Sequence, residues 1–314
     1  MTKNIRILIT GGAGYIGSIL SMDLLKSNYN VTILDSFIYN QNSLLELCYN
    51  NKFNIIKDDV RNKIILKKLV EENDIIVPLA AIVGAPACEK DKNLATEINL
   101  TQIENIISYC SNNQKILFPV TNSGYGIGEK DKYCDEDSPL NPISHYGKTK
   151  VEAEKIIMNY KNAVAFRLAT VFGVSPRMRK DLLVNDFVYK AFKDHKIILF
   201  ESHFKRNYIH IRDVSGAFLF ALENYEKMRG QVYNLGLSNA NLSKLELCMK
   251  IKNRLKNFDI GESQIGKDPD KRDYIVSNKK IEDVGWKPNF SLEQGIDELI
   301  KCYSYLSEGN YSNI

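Results

Sequence analysis

The stretch Gly11-Gly12-Ala13-Gly14-Tyr15-Ile16-Gly17 constrains the fold of this chain more than any other. It follows an apolar run over residues 5–10, which reads as a buried strand, and opens a helical pattern over residues 16–26. From Gly11 it reads GxxGxxG, and from Gly12 it reads GxGxxG. A strand, this loop and a helix form the context that a phosphate-binding turn requires. A Cβ at these positions would hold a pyrophosphate away from the backbone, and the helix N-terminus offers the anion unpaired N–H groups. A glycine-rich turn with no ligand is the plainer reading of such a motif alone. Asp35 weighs against it, because it ends a second strand (residues 31–35) where a carboxylate meets the adenosine ribose 2′-hydroxyl. That carboxylate repels a 2′-phosphate, and Ser36-Phe37-Ile38 supplies no cation to offset it. Together these residues predict a bound dinucleotide, NAD rather than NADP.

Further apolar runs fall at residues 53–56, 75–79, 115–120 and 163–168, separated by helical patterns near 64–70, 98–110 and 146–160. This alternation predicts an α/β fold, a Rossmann-type doubly wound parallel sheet with a smaller mixed α/β unit for the substrate. The first unit is expected over residues 1–170 with a returning segment near 212–236, and the second over 171–211 and 237–314. Apolar residues at 44% and charged residues at 25% are ordinary for a globular protein. The net charge of +4 is spread along the chain, so it points to no nucleic-acid partner and suits an anionic small substrate. The six cysteines lie far apart without a CxxC pair, and the four histidines show no HxH or HExxH spacing. Reduced thiols and no metal are expected. The chain enters its first strand directly, so no leader is expected, and no apolar run nears the roughly 20 residues of a membrane span. A cytoplasmic location away from the membrane is the expectation.

Tyr146-Gly147-Lys148-Thr149-Lys150 contains YxxxK within a helical pattern. Residues four apart share one helix face, so Tyr146 and Lys150 are expected side by side. The ammonium should lower the tyrosine pKa and make Tyr146 a general base for a hydroxyl proton during hydride transfer. A surface Tyr–Lys pair is the alternative for this common motif, and the nucleotide loop in the same chain favours the catalytic reading.

The glycine loop, Asp59-Val60, Leu79-Ala80-Ala81, Asn99, Thr121 with Tyr125-Gly126, YxxxK and Phe166-Arg167-Leu168-Ala169-Thr170 occur in the order that extended short-chain dehydrogenases show. Over essentially its whole length the chain resembles that family, the NAD-dependent nucleotide-sugar epimerases and dehydratases. The resemblance implies that Thr121 hydrogen-bonds the reacting hydroxyl and that Tyr146 and Lys150 complete the catalytic set. It implies cofactor contacts from Gly11, Gly14, Tyr15, Ile16, Gly17 and Asp35. Asp59 and Val60 would hold the adenine, and Leu79, Ala80, Ala81 and Leu168 would line the cofactor. Lys150 would reach the nicotinamide ribose, and Asn99 would serve the cofactor or support its helix. On the substrate side it implies Thr121, Asn122, Ser123, Thr170, Arg177, Arg179, Asn185, Arg206 and Arg272. Arginine suits a diphosphate there, because its planar fork donates two bonds at once. A homodimer is also implied, with a seam that Ile103, Ile106, Ile107, Val151, Ile156 and Ile157 would supply unless they face their own sheet.

Dehydratases of this family resemble T-D-E-x-Y-G, where an acidic pair drives loss of water. This chain has Asn122 and Ser123 at those two places, which argues against dehydration. T-N-S-G-Y-G-I-G-E, S-P-R-M-R and D-P-D-K-R-D-Y resemble bacterial GDP-D-glycero-D-manno-heptose 4-dehydrogenases of capsule synthesis. The resemblance thus implies oxidation of a sugar C4 hydroxyl by NAD. Net oxidation leaves NADH to be reoxidised, for which a small 2-oxo acid with its carboxylate held by Arg177 or Arg179 is one means. A 4-epimerase needs the same Thr–Tyr–Lys set and stays open. A non-catalytic NAD-binding regulator is a third reading, disfavoured by the intact set.

Overall fold

The computed structural model describes residues 4–263, 272–307, 309 and 311–313. Its strands are β1 (Arg6–Thr10), β2 (Asn30–Asp35), β3 (Phe53–Lys57), β4 (Ile75–Pro78), β5 (Lys115–Thr121), β6 (Tyr133–Cys134) and β7 (Ala163–Leu168). These are followed by β8 (Thr170–Phe172), β9 (Lys196–Leu199), β10 (Lys205–His210), β11 (Gln231–Leu235), β12 (Asn241–Ser243), β13 (Asp259–Glu262) and β14 (Ile275–Val276). One sheet runs β11-β7-β5-β4-β1-β2-β3, with every neighbouring pair parallel. Its central strands are buried nearly throughout because helices cover both faces. On one face the helices Tyr15–Lys26 and Ile211–Glu223 bring Leu20, Leu24, Val214 and Phe218 into the core. On the other, Lys63–Glu72, Gln102–Tyr109 and His145–Met158 bring Leu66, Val70, Ile103, Ile106 and Ile157.

That second face corrects the expected dimer seam. Ile103, Ile106 and Ile157 are buried against their own sheet, and Val151 is buried beside Gly124. Of the six residues, Ile107 and Ile156 keep partial exposure.

Strand order reverses between β1 and β4, opening a crevice at their carboxyl ends where open α/β sheets bind ligands. Pro119 in β5 fits this geometry. β5 pairs with β4 only at its start, so the missing proline N–H falls where that ladder has ended, at the crevice wall.

After β7 the chain passes through Ala169 directly into β8, part of a small sheet ordered β12-β10-β8. Around it, Phe172, Val184, Val188, Leu247, Ile251 and Ile296 form a second core. The expected boundary between the units shifts at one place, because Ile281 and Trp286 pack into the core of the main sheet. No helix among the described residues is long and apolar enough to cross a membrane. Also among them, no group of three or more His, Cys, Asp or Glu side chains could hold a metal ion.

The helix expected near 98–110 departs from its pattern. It begins as Lys92–Thr96, widens to a π turn over Glu97–Thr101 and resumes as Gln102–Tyr109. The wide turn carries Asn99 inward, where Ile82 N–H donates to its Oδ1 at 2.8 Å and its Nδ2 donates to Ile82 O at 3.0 Å. Asn99 therefore does not line the crevice; it holds the backbone of the loop that does.

Candidate active site

A cavity of about 550 Å³ runs along the carboxyl ends of the central strands and on toward β8 and β10. Gly11, Gly14, Tyr15, Ile16 and Gly17 line one end. Gly11 has φ +70°, and a Cβ there would stand 2.6 Å from the Ala80 backbone. A Cβ on Gly17 would stand 2.6 Å from Gly12 Cα. The helix that starts at Tyr15 has Gly14 as N-cap with no side-chain cap, so its first N–H groups face the cavity without a competing oxygen. This glycine cradle fits the pyrophosphate of a dinucleotide.

Asp35 lies in the same cavity, with one carboxylate oxygen accepting from Ala13 N–H (2.9 Å) and the other from Phe37 N–H (2.8 Å). Burial lifts its pKa above the ordinary aspartate value, while the Phe37, Ala13 and Gln41 hydrogen bonds oppose that rise. Lone pairs remain for a ribose hydroxyl. Asp35→Asn keeps the shape and removes the charge that repels a 2′-phosphate. Its preference for NAD over NADP should narrow by about tenfold or more, read by calorimetry with each cofactor. An unchanged ratio would show that something other than this charge sets the preference.

Asp59, Val60, Leu79, Ala80, Ala81 and Leu168 also line the cavity. Arg61 joins them, held by Asp59 (2.8 Å) and Glu97 (3.0 Å), and keeps the Asp59 pKa low.

Thr121, Tyr146 and Lys150 meet where β5 ends and the His145–Met158 helix begins. Ser144 caps that helix by accepting from Gly147 N–H (3.1 Å), which fixes the first turn carrying Tyr146. Burial outweighs the expected lowering of the Tyr146 pKa. Burial pushes Tyr146 up to about 12, and Cys88 adds to the rise. Arg272, Arg179 and the Thr121 hydrogen bond pull it down. Lys150 is itself pushed down to about 7 by burial, with Glu154 opposing, and its Nζ stands 4.1 Å over the Phe118 ring. It thus carries only part of its charge near neutral pH.

This has a consequence for stability. Between about pH 7 and 10.5 the unfolded chain holds a proton on Lys150 that the folded chain has released. The contribution of Lys150 to stability therefore rises with pH across that window. Lys150→Met should raise the melting temperature of the cofactor-free protein near pH 7 and flatten this pH dependence, measured by calorimetry. A less stable variant with the wild-type slope would contradict it.

Next to the catalytic set, Arg167 on β7 is buried and forked onto Glu154, with Nε–Oε2 3.0 Å and Nη2–Oε1 2.7 Å. It also donates to Tyr125 Oη and Glu136 O, at 3.0 Å each.

The predicted substrate residues divide. Thr121, Ser123, Thr170, Arg177, Arg179, Arg206 and Arg272 line the cavity, and Asn122 and Asn185 do not. The turn after β5 is a 3-10 helix over Asn122–Tyr125; Thr121, Asn122 and Ser123 are all buried, with Thr121 and Ser123 at the cavity wall and Asn122 away from it. Neither amide atom of Asn122 has a partner among the described residues. Asn185 is fully buried, accepting from Gly173 N–H (3.0 Å) and donating to Arg179 O (2.8 Å) and Tyr15 Oη (3.3 Å). It builds the arginine-bearing turn and does not face the ligand space. Tyr15 Oη donates to Gly173 O (2.6 Å), and Ser175 Oγ donates to Tyr15 O (2.7 Å). The glycine-loop helix and the arginine turn are therefore stitched together. Arg179 is forked onto Asp181, while Arg177 donates to Met178 O (2.6 Å) and to Asn313 Oδ1 (2.9 Å). In the D-P-D-K-R-D-Y motif, residues 268–271 lie outside the described residues.

Sequence reading missed Tyr39, Gln41, Lys244, Tyr274 and the apolar segment from Ile82 to Pro86, which runs into the Ala85–Lys90 helix; all of these line the cavity. Lys244 had a usable signal, since it follows the N-cap of a capping box formed by Ser243 and Glu246. Among the described residues, the lining cations Arg61, Lys150, Arg177, Arg179, Arg206, Lys244 and Arg272 outnumber the carboxylates Asp35, Asp59, Asp181 and Asp186. That excess suits an anionic ligand pair.

Residues 7–236 match the model of the NAD dependent epimerase/dehydratase family. The chain is 28% identical to a putative UDP-glucose 4-epimerase of Methanocaldococcus jannaschii, covering 94% of this chain and 97% of that protein. It is 26% identical to the dTDP-D-glucose 4,6-dehydratase of Mus musculus, covering 95% and 88%. Among solved structures, the UDP-glucuronic acid 4-epimerase of Bacillus cereus, in complex with UDP-glucuronic acid and NAD, superposes with a TM-score of 0.79 at 26% identity. That match covers 96% of this chain and 99% of the other. The family model spans well over half of the sequence, and its cofactor fits the glycine cradle and Asp35: the chain belongs to the NAD dependent epimerase/dehydratase family.

Proposed function

We propose that the protein oxidises the C4 hydroxyl of a nucleotide-activated sugar to a 4-ketone, with GDP-D-glycero-D-manno-heptose as the substrate and surface polysaccharide synthesis as the setting. NAD, when bound, supplies the hydride acceptor. Tyr146, ionised to its phenolate, takes the hydroxyl proton on Oη, Thr121 orients the sugar oxygen, and the C4 hydrogen leaves with its electron pair. The observation that carries this reading is the turn after β5. Asn122 is buried away from the cavity, and Ser123 is bound to Thr121 Oγ1 (2.8 Å) and to Arg272. No lining carboxylate belongs to that turn, so elimination of water has neither its acid nor its base there. The heptose and the guanine base rest on the motif resemblance. The excess of lining cations supports a diphosphate ester.

A 4-epimerase is the second reading, favoured by the UDP-glucose 4-epimerases among the relatives. It performs the same oxidation and returns the hydride to the other face. Net oxidation requires a second substrate for NADH, for which a small 2-oxo acid on Arg177 or Arg179 is proposed. A homodimer and a cytoplasmic location complete the reading.

The test is incubation with NAD and GDP-heptose, followed by mass spectrometry and NMR. A product lighter by two hydrogens, whose C4 takes deuterium from borodeuteride, is the expected result. A product lighter by one water would make the protein a dehydratase. An unchanged mass with inverted C4 would make it an epimerase.

A further inference from the structure

Arg177 and Arg179 stand in one turn, and their charges are balanced differently. Arg179 is forked onto Asp181, and both side chains of that pair are nearly buried. Asp186, another carboxylate at the cavity, holds Lys190 Nζ at 2.7 Å. Arg177 is buried as well, yet no carboxylate among the described residues bonds it. Its guanidinium rests on neutral oxygens. Nη1 donates to Met178 O (2.6 Å), and Nη2 donates to Ser312 O (3.2 Å) and to Asn313 Oδ1 (2.9 Å). Its Cζ lies over the Tyr39 ring, 5.1 Å from the centroid. Tyr39, Arg177 and Asn313 all line the cavity.

Ser312 and Asn313 belong to the segment that follows the Leu292–Tyr303 helix. Tyr311 pegs this segment in place. Lys180 N–H donates to Tyr311 O (2.7 Å), Lys180 Nζ stands 4.9 Å from the Tyr311 ring centroid, and the ring packs against the second core. Ser312 and Asn313 then reach from the peg to Arg177.

A buried cation calls for a compensating charge, and carbonyl oxygens supply dipoles only. Burial accordingly lowers the Arg177 pKa; Arg179 adds to the fall, while Tyr39 and Asp181 oppose it. An oxyanion would bring acceptors and charge together, and a guanidinium fork matches two of its oxygens. We propose that Arg177 is an oxyanion-binding residue of this cavity, and that Ser312 O and Asn313 Oδ1 are placeholders which the carboxylate or phosphate of a ligand displaces. Tyr39 and Met178 O keep the guanidinium oriented during the exchange, and the Tyr311 peg keeps the displaced residues close. Arg179, already satisfied by Asp181, shapes the turn. The proposal rests on the reading of the cavity as a site for anionic ligands and narrows its arginine assignment to Arg177.

The test is calorimetry on NAD-loaded protein with two probes, pyruvate for a carboxylate and inorganic pyrophosphate for a phosphate. At least one of them should bind the wild type, and Arg177→Met should weaken that binding about tenfold or more. Asn313→Ala should tighten it about fivefold, because a competing oxygen is gone. Asn313→Asp should weaken it about tenfold or more, because a carboxylate of the chain then competes for the guanidinium. Opposite signs for the two Asn313 variants are the mark of displacement. A loss in Arg177→Met confined to pyruvate assigns the site to a small acid, and one confined to pyrophosphate assigns it to a phosphate ester; either supports the proposal. An Asn313→Ala variant that binds no tighter than wild type would overturn it. So would an Arg177→Met variant with wild-type affinity for both probes, or a wild type that binds neither. Binding needs no turnover, so a failure of the C4 oxidation reading would be seen separately, in the products.

Discussion

Tyr146→Phe should lower turnover by about 10²–10⁴-fold and leave NAD binding nearly unchanged. The substitution removes one oxygen and keeps the ring, so the packing of Tyr146 against Ile82, Cys88 and Ala95 persists. What is lost is the acceptor for the hydroxyl proton, which no neighbour replaces. Lys150 sits over Phe118, and Thr121 is occupied by Ser123. Turnover measured by NADH absorbance should fall, while the dissociation constant for NAD from calorimetry should hold. A variant with most of the wild-type rate would mean that another group accepts the proton.

Arg167→Met should cost about 3–5 kcal/mol of folding stability, because it leaves Glu154 charged and buried without its partner. The methionine fills much of the volume but satisfies neither carboxylate oxygen, and it also releases Tyr125 Oη and Glu136 O. Glu154 lies one helical turn from Lys150, so its unbalanced charge would raise the Lys150 pKa as well. Denaturant unfolding is the measurement, and Arg167→Met combined with Glu154→Leu should regain a large part of the loss. A single variant within about 1 kcal/mol of wild type would show that the pair is dispensable.

The cofactor half of the site was legible because its signals are local. A glycine loop between a strand and a helix, a carboxylate ending the next strand and a tyrosine four residues before a lysine each state their geometry within a few residues. The substrate half depends on contacts between distant segments, and there the reading partly failed. Asn122 and Ser123 are adjacent and both buried, yet the 3-10 turn sets only Ser123 at the cavity wall. Asn185 has the chemistry of a ligand contact, but the backbone of Gly173 and Arg179 uses its amide. Asn99 was displaced by a π turn that no apolar period announces. The dimer seam stays open in the sequence for a related reason: an apolar helix face reads the same whether it meets its own sheet or a second subunit. For Tyr146 and Lys150, adjacency in sequence shows the ammonium next to the phenol but not the burial that raises the tyrosine and lowers the charge on Lys150 itself.

The stitch between the glycine-loop helix and the arginine turn bears on how such a protein can change its substrate. Tyr15 Oη on Gly173 O, Ser175 Oγ on Tyr15 O, and Asn185 between them make the cofactor helix and the segment bearing Arg177 and Arg179 one mechanical piece. The turn is therefore not an interchangeable cassette. A chimaera that imported residues 173–179 from a relative would also need partners for Tyr15, Ser18 and Asn185, since otherwise the graft would loosen the helix that receives the pyrophosphate. New specificity is more accessible through Lys244 and the segment from Ile82 to Pro86, which line the same cavity without being tied to the glycine loop by these bonds.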